Sequence, residues 1–372
     1  MSTPFDAIAM ARAIELARRG LETTDPNPRV GCVIARGDKI LAEGWHEWAG
    51  EAHAEAMALN SLGGKAKGAT AYVTLEPCSH FGRTPPCANA LINAGVSRVV
   101  FAVEDPNPQV SGGGAQVLRA AGIQVESGLM SREAEELNPG FLKRMRVGLP
   151  WVRLKLAMSL DGRTALANGA SQWITSEAAR EDVQRWRAQS SAVMTAIGTV
   201  LADDPRLNVR TPATRRREPL RVILDSELRT PPDAQMFSVP GDIVIFTASN
   251  DVDRVSPLIA TGARIEVVGR EQHDAGVDLS AVFTRLAEMD INEVLIESGA
   301  TLAGALLQGD FVDEVLVYMA PMLLGPQARP LIALPEITRL EDSPRFTFLE
   351  TTVFGDDLRL RLRRRLDAAG AT

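Results

Sequence analysis

The stretch LEPCSHFGRTPPC, residues 75–87, places Cys78 and Cys87 each directly after a proline, with eight residues between them. Upstream lies His53-Ala54-Glu55, an H-x-E pattern. A zinc deaminase typically combines H-x-E with a downstream P-C-x-x-C, so the cysteine spacing here is wider than in that signature. A metal site with an enlarged loop, a disulfide and a chance arrangement are all open at this point.

Composition narrows the class of protein. The chain has 372 residues, 45% hydrophobic and 23% charged, which is ordinary for a globular protein, and this length predicts two domains. A net charge of −7 disfavours a nucleic-acid partner held by phosphate contacts. Charges throughout residues 1–20, and no apolar run of about 20 residues, predict neither a signal peptide nor a membrane anchor. The cytoplasm is therefore the expected location. A small-molecule substrate and a homo-oligomer are further expectations that do not follow from composition.

The three cysteines do not form a disulfide framework in a chain of this length. Cys32 lies in the strand-like run VGCVIA, where its ordinary role is that of a small buried hydrophobe. His46 and His273 are interpreted as structural histidines that face solvent or form hydrogen bonds. The disulfide explanation is therefore weakened.

The N-terminal half alternates between helix and strand, which predicts a sheet covered by helices. A hairpin is expected around Gly37-Asp38. The predicted helices cover 6–20, 51–62, 85–95 and about 114–121, and the predicted strands are RVGCVIA (29–35), KILAEGWH (39–46), ATAYVTLEPC (69–78), SRVVFAVEDP (97–106) and IQVESG (123–128).

These elements place the motif residues near element ends. His53 is expected in the first turn of a helix, Cys78 at the carboxyl end of a strand and Cys87 in the first turn of the next helix. A helix N-terminus favours the thiolate that binds zinc. One imidazole and two thiolates leave a fourth position for water, and Glu55 could move the proton of that water to a leaving amine. His80 is a rival ligand that we interpret as a loop residue near the pocket mouth.

The second half begins after NPGFLKRMRVGLPWV (138–152), whose Pro, Gly and basic residues predict a linker near 140–150. A second α/β arrangement follows, in which Arg215-Arg216-Arg217 is expected in a solvated loop. The predicted strands lie in 151–160, before an Asp161-Gly162 turn, and in 191–205, 220–226, 241–249, 264–268 and 292–299, with helices at about 176–190, 279–289 and 301–309.

The segment NEVLIESGATLAGALLQGD (292–310) carries the clearest signal of the second half. A strand runs through Glu297-Ser298-Gly299 into a helix, where glycine permits close approach of a ligand and exposed amides attract phosphate. A plain strand–helix connection is the alternative.

The N-terminal half resembles the deaminase domain of the bifunctional riboflavin-biosynthesis deaminase/reductase family. The motifs that carry the resemblance are DPNPRVGCVI (25–34), HAEAMAL (53–59), LEPCSHFGRTPPCANALI (75–92) and VEDPNPQVSGGG (103–114). The resemblance implies a cytidine deaminase-like three-layer α/β/α domain, which we place at residues 1–147. It further implies zinc bound by His53, Cys78 and Cys87, with Glu55 as proton shuttle.

In that family the substrate is 2,5-diamino-6-(5-phosphoribosylamino)pyrimidin-4-one, which loses the amino group on ring carbon 2 as ammonia. Asn27 and the 104–114 loop would frame the pyrimidine. We also expect the widened cysteine loop, with His80, Arg83 and Thr84, to border the pocket and help receive the phosphoribosyl substrate.

The second half is similar to the reductase domain of the same family through MSLDGRTA (158–165), SQWIT (171–175) and LADDPRLNVR (201–210). The resemblance implies a dihydrofolate reductase-like domain, placed at 148–372, that uses NADPH to reduce carbon 1′ of the ribosyl group to a ribityl chain. The choice of NADPH over NADH rests on the family alone. The implied cofactor-binding residues are Ala157, Trp173, Thr199, Asp203, Ser226, Gly299, Ala300, Thr301, Leu302, Ala303, Gly304 and Ala305. The implied substrate-binding residues are Ser171, Arg187, Leu207, Arg210 and Glu297.

Some alternatives stay open. The reductase needs a proton donor, and Lys155, Asp203 and Glu297 are the titratable candidates. A nucleic-acid deaminase such as a tRNA adenosine editor shares the zinc chemistry, although the acidic charge and the large second domain disfavour it. A metal-stabilised binding protein without activity, and a reductase with a decayed deaminase half, are the other two.

Overall fold

The structure is a computed structural model that describes residues 3–79, 85–107, 111–211, 217–270 and 276–365. Contacts between residues divide the chain into two compact units, Met1–Leu149 and Pro150–Thr372. We call them unit 1 and unit 2 and describe each by itself.

The described part of unit 1 consists of alternating helices and strands. In chain order they are α1 (Pro4–Ala17), β1 (Gly31–Arg36), β2 (Lys39–Trp45), α2 (Ala54–Ser61), β3 (Thr70–Leu75), α3 (Cys87–Asn93), β4 (Arg98–Val103), α4 (Gly113–Ala120), β5 (Gln124–Ser127), α5 (Ser131–Glu135) and α6 (Pro139–Val147). The sheet order is β2-β1-β3-β4-β5. Strand β1 is antiparallel to β2 and β3, whereas β3, β4 and β5 are parallel.

Two apolar layers cover the faces of this sheet. Because side chains alternate along a strand, Cys32 and Ile34 of β1 pack in a core with α2, α3 and α4, whereas Val33 packs on the other face with α1, α5 and α6. Unit 1 is therefore a three-layer α/β/α sandwich. Cys32 is fully buried in it, as predicted for a small hydrophobe.

The predicted linker near 140–150 is wrong, because its first part is the helix α6. Pro139 is the first residue of that helix and Gly148, with a φ of 71°, ends it. Phe141 and Leu142 are buried in the α1 side of the core. The proline and glycine that suggested a linker are thus helix boundaries.

The described part of unit 2 contains one large sheet and one small one. In chain order its elements are β6 (Trp151–Ser159), β7 (Arg163–Ala165), α7 (Glu177–Gln189), β8 (Ala192–Ala196), α8 (Ile197–Asp203), β9 (Leu220–Leu224), β10 (Ile243–Thr247), α9 (Val252–Ala260), β11 (Arg264–Val267), α10 (Leu279–Glu288), β12 (Glu293–Glu297), α11 (Ala300–Gln308), β13 (Glu314–Ala320), β14 (Arg329–Pro330), β15 (Phe346–Phe354) and β16 (Asp357–Arg364).

The large sheet has the strand order β11-β10-β9-β8-β12-β6-β13-β16-β15. Neighbours from β11 to β13 are parallel, and β16 pairs antiparallel with β13 and β15. In such a sheet the crevice beyond the carboxyl ends of the parallel strands is the usual ligand site. The predicted strand at 191–205 is only partly correct, since its second part is the helix α8.

Candidate active sites

His53, Cys78 and Cys87 come together in unit 1. The Nδ1 atom of His53 lies 3.6 Å from the Sγ of Cys78 and 3.3 Å from the Sγ of Cys87. Two of them lie slightly away from the expected positions. His53 is the N-cap residue that precedes α2 rather than a residue of its first turn, and Cys78 lies three residues after the end of β3 rather than at its end. Cys87 is the first residue of α3, as predicted.

The three side chains fit a zinc ion. Tetrahedral bonds of about 2.3 Å to sulfur and about 2.1 Å to nitrogen separate such ligand atoms by about 3.6 Å, close to both measured distances. The donor atoms all lie within 4.8 Å of one another, and Cys87 is buried while the other two are half-buried. Two thiols and one imidazole are also the donor chemistry that zinc prefers.

The surroundings favour a thiolate at Cys78 even without a metal. Hydrogen bonds from Cys87 and then from His53 lower the pKa of the Cys78 thiol to about 4, although burial acts in the opposite direction. The backbone N–H of Cys87, at the start of α3, also donates to the Cys78 sulfur at 3.4 Å. The helix start thus acts on Cys78 and not, as expected, on Cys87, because the hydrogen bond to Cys78 and burial raise the pKa of the Cys87 thiol above its ordinary value.

Glu55 is the second residue of α2 and its side chain is buried. Burial raises the pKa of its carboxyl group above the ordinary value, against the opposing charge of His53. A raised pKa makes a carboxyl group a better proton acceptor, which suits a proton shuttle.

A second histidine adjoins this cluster. His46 is buried rather than solvent-facing, and its ring meets the His53 ring edge-on with centroids 5.5 Å apart. Its Nδ1 contacts the carbonyl of Ala52 at 3.0 Å and its Nε2 contacts the amide nitrogen of Asn27 at 3.3 Å. Asn27, which was predicted to frame the pyrimidine, is thus hydrogen-bonded to His46, and the His46 ring contacts the ring of the predicted zinc ligand His53.

Several predicted loop residues fall in the gaps between the described ranges. His80, Arg83 and Thr84, residues 108–110, Arg215, Arg216 and His273 lie outside the described residues. Arg217 is exposed and its guanidinium lies 3.6 Å from the Asp242 carboxylate.

Unit 2 contains a cleft of about 1690 Å³ beyond the carboxyl ends of β6, β8, β9 and β12. Its lining includes sixteen of the predicted reductase residues, namely Lys155, Ala157, Ser171, Trp173, Arg187, Thr199, Asp203, Leu207, Arg210, Ser226, Glu297, Gly299, Ala300, Thr301, Leu302 and Ala305. Ala303 and Gly304 do not line it. A Cβ on Gly304 would lie 1.8 Å from the carbonyl oxygen of Ala333, so this face of α11 is packed against the protein.

The start of α11 fits a phosphate-bearing cofactor. Gly299 caps the helix, and a Cβ added there would meet no atom within 4 Å. The amides of Ala300, Thr301 and Leu302 have no acceptor inside the helix, whereas Ala303 already donates to the Gly299 carbonyl at 3.2 Å. The buried Ser298 hydroxyl has no hydrogen-bond partner in the described structure, and sequence reasoning did not single it out.

A charged cluster lies at the end of β12. Arg187 holds the Glu297 carboxylate through two contacts, at 2.5 and 3.0 Å. Burial opposes ionisation of Glu297, but the charge and hydrogen bonds of Arg187, together with the charges of Lys155 and Arg210, lower the pKa of that carboxyl group to about 2. Burial lowers the pKa of the neighbouring Lys155, against the opposing charge of Glu297.

Comparisons with known proteins bear on both units. The family model described as "RibD C-terminal domain" matches residues 150–360, and "Cytidine and deoxycytidylate deaminase zinc-binding region" matches residues 4–103. The riboflavin biosynthesis protein RibD of Escherichia coli (strain K12) is 51% identical over 368 residues, covering 96% of this chain and 99% of its own. The chain belongs to the RibD family. The RibD of Haemophilus influenzae is 46% identical, with 95% and 96% covered.

Solved RibD-family structures match the whole fold. Acinetobacter baumannii RibD, form 1, superposes with a TM-score of 0.90 at 46% identity, over 97% of this chain and 99% of its own. A deaminase/reductase from Thermotoga maritima gives a TM-score of 0.84 at 32% identity, again over 97% and 99%. The predicted fold, a cytidine deaminase-like domain followed by a dihydrofolate reductase-like domain, is confirmed.

As a RibD-family member the chain is a bifunctional enzyme of riboflavin biosynthesis, a deaminase and a reductase, whose cofactors are Zn²⁺ and NADPH. These findings do not favour the tRNA adenosine deaminase alternative. Among the described residues, no helix combines the length and the apolar character needed to cross a membrane.

Proposed function

We propose that unit 1 hydrolyses the amino group on ring carbon 2 of 2,5-diamino-6-(5-phosphoribosylamino)pyrimidin-4-one, and that unit 2 reduces the deaminated product with NADPH to 5-amino-6-(5-phosphoribitylamino)uracil. The boundary between the two activities lies at 147–150. The observation that carries the proposal is the buried Glu55 beside the His53–Cys78–Cys87 cluster in a chain whose other unit has a cofactor-sized cleft.

In the deaminase, His53, Cys78 and Cys87 hold the zinc ion. Zinc, when bound, supplies the activation of a water molecule at neutral pH. Glu55 would accept a proton from that water and pass it to the leaving amino nitrogen, while the water oxygen bonds to ring carbon 2. The C–N bond then breaks and ammonia leaves, and the second water proton moves to a ring nitrogen, so that a carbonyl remains. Burial of Glu55 keeps bulk water away from this proton transfer.

In the reductase, the chain's residues position the substrate and supply a proton. NADPH, when bound in the cleft, would supply a hydride to carbon 1′, and the sugar oxygen released from that carbon would become a hydroxyl group that needs a proton. Glu297 stays ionised at neutral pH because its pKa is about 2. Lys155, a half-buried ammonium whose pKa burial lowers, is therefore the proposed donor, while Arg187 and Arg210 bind the substrate's anionic groups.

The amides at the start of α11, with the Ser298 hydroxyl, hold phosphate groups of the cofactor. Ala157, Trp173, Thr199, Asp203 and Ser226 complete its site. Ser171, Leu207 and Glu297 contact the substrate from other sides of the same cleft. The enzyme acts in the cytoplasm as a homo-oligomer. Light scattering on the purified protein measures its molar mass and so tests the oligomeric state.

The experiment supplies zinc-loaded protein with the diaminopyrimidine phosphate, first without and then with NADPH. Ammonia release without NADPH, and a ribityl product with it, support both halves of the proposal. Glu55→Gln is the matched variant, because it should stop ammonia release and leave reduction of the authentic deaminated intermediate unchanged. No ammonia from the parent enzyme contradicts the deaminase assignment, and no NADPH oxidation with the authentic intermediate contradicts the reductase assignment.

A further inference from the structure

Glu76 is a buried carboxylate that the chemistry described above does not use. It directly follows β3 and precedes Pro77 and Cys78, and only 3% of it is exposed. Its backbone N–H donates to the Val103 carbonyl at 2.9 Å, which continues the pairing of β3 with β4. Its side chain therefore starts from a fixed backbone position beside a predicted zinc ligand.

The Glu76 carboxylate accepts three backbone N–H groups from the segment that follows β4. One oxygen accepts from Asp105 at 3.3 Å and from Gly112 at 3.1 Å, and the other accepts from Ala115 at 2.9 Å. Gly112 is the N-cap of α4 and has no side chain to cap the helix, so Glu76 supplies the missing acceptor from another element. A carboxylate at this end also complements the helix dipole.

Two glycines bring the start of α4 against the same short stretch. A Cβ on Gly114 would lie 1.9 Å from the carbonyl oxygen of Pro77, and a Cβ on Gly113 would lie 2.7 Å from the Ser79 hydroxyl. The residues on either side of Cys78 thus touch α4 directly. Glu76 and these contacts hold the described parts of the 104–114 loop, 104–107 and 111–114, against the cysteine segment.

We propose that Glu76 is a positioning residue of the deaminase: its carboxylate sets the distance between the segment that carries Cys78 and the described ends of the 104–114 loop, which the family resemblance predicts to frame the pyrimidine. This inference rests on the proposed function of unit 1. It holds that Glu76 touches neither the metal nor the substrate and acts through the loop. Its loss therefore weakens substrate binding, because the ground state and the transition state both depend on the loop.

The test compares Glu76→Gln with the parent in the zinc-loaded full chain. The amide keeps the shape of the side chain but replaces one acceptor oxygen by an NH₂ donor. At least one of the three backbone N–H groups then faces a donor and loses its acceptor. We expect the deaminase KM to rise about 10-fold with kcat changed by less than about 3-fold. Zinc should stay at one equivalent, and hydrogen exchange should accelerate at the amides of Asp105, Gly112 and Ala115. Glu133→Gln, at an exposed glutamate of α5, is the matched control and should change none of these.

Gly114→Ala is the second variant, which moves α4 away from Pro77 while the Glu76 carboxylate remains. It should also raise KM with zinc retained. Reduction of 5-amino-6-(5-phosphoribosylamino)uracil is the internal control and should stay at the parent rate in every variant.

Three results overturn the inference. The first is an unchanged deaminase KM in Glu76→Gln or Gly114→Ala. The second is loss of zinc from both variants. The third is faster hydrogen exchange throughout unit 1 in both variants with no selective change in the deaminase KM. If the parent enzyme itself releases no ammonia, the proposed deaminase function is wrong. Ammonia release by the parent therefore distinguishes failure of the proposed function from failure of the Glu76 inference.

Discussion

The Arg187–Glu297 ion pair leads to a quantitative prediction for unit 2. Both side chains are largely buried, with 9% and 15% exposed. Arg187→Met keeps an apolar stem and leaves the Glu297 carboxylate without its two-contact partner. The lowering of the Glu297 pKa from its ordinary 4.5 to about 2 corresponds to about 3 kcal/mol. Removing one member of a buried ion pair typically costs about 3–5 kcal/mol, in agreement with that figure.

The pH dependence follows from the direction of the pKa. Because the folded protein lowers the pKa of Glu297, the stabilisation is fully present above about pH 4.5 and is lost as the pH falls towards about 2. Parent and variant should therefore differ by about 3 kcal/mol in unfolding free energy at pH 7, and the difference should narrow below about pH 4.5.

Denaturant unfolding at a series of pH values measures this difference, with the transition of unit 2 identified by its shift on addition of NADPH. Arg217→Met is the matched control, because the Arg217–Asp242 pair is exposed and should contribute almost nothing. The double variant Arg187→Met/Glu297→Met should recover most of the loss, since no unpaired charge remains. Parent-like unfolding of Arg187→Met, or a double variant as unstable as the single one, would refute the ion-pair explanation.

Three further predictions concern unit 1. Glu55→Gln should lower the rate of ammonia release by about 10²–10⁴-fold with its zinc content unchanged. Loss of zinc from this variant would instead show that Glu55 is needed for metal binding. Removal of zinc by a chelator should abolish deamination and leave NADPH oxidation with the deaminated intermediate intact; parallel loss of both activities would contradict separate sites. Phe141→Ala should destabilise unit 1 by about 3–5 kcal/mol, measured by denaturant unfolding, because α6 belongs to its core. A loss below about 1 kcal/mol would mean that α6 acts only as a connection.

The zinc cluster was predictable because its residues stand at element ends. His53 precedes a helix, Cys78 follows a strand and Cys87 begins a helix, and all three boundaries carry local sequence signals. The helix α6 was missed because proline and glycine mark both linkers and helix ends. Only the burial of Phe141 and Leu142 distinguishes the two.

The strand β16, for which we made no prediction, shows a different limit of sequence reasoning. Its sequence DLRLRLRR alternates as a strand should, yet the usual rule places the leucines inside. In the structure Arg359 is buried, donates to Asp182 at 2.6 Å and lies over the Trp186 ring. Arg361 reaches the buried Glu314 at 2.8 Å. Partners from distant strands and helices thus bury Arg359 while Leu358 and Leu360 stay half-buried, and sequence alone does not identify those partners.

The sequence by itself indicated the metal cluster, because an H-x-E pattern and two cysteines that each follow a proline are local features of residue type and spacing. The reductase site was expected from the family resemblance, since a glycine before a helix also occurs in plain strand–helix connections. The tertiary structure decided which side chains and amides are available for binding at each site. The Ser298 hydroxyl is buried without a partner, and Ala303 and Gly304 face away from the cleft. Glu76 binds amides as far as 39 residues away. Backbone amides carry no residue-specific signal, so contacts made to them appear only once the chain is folded.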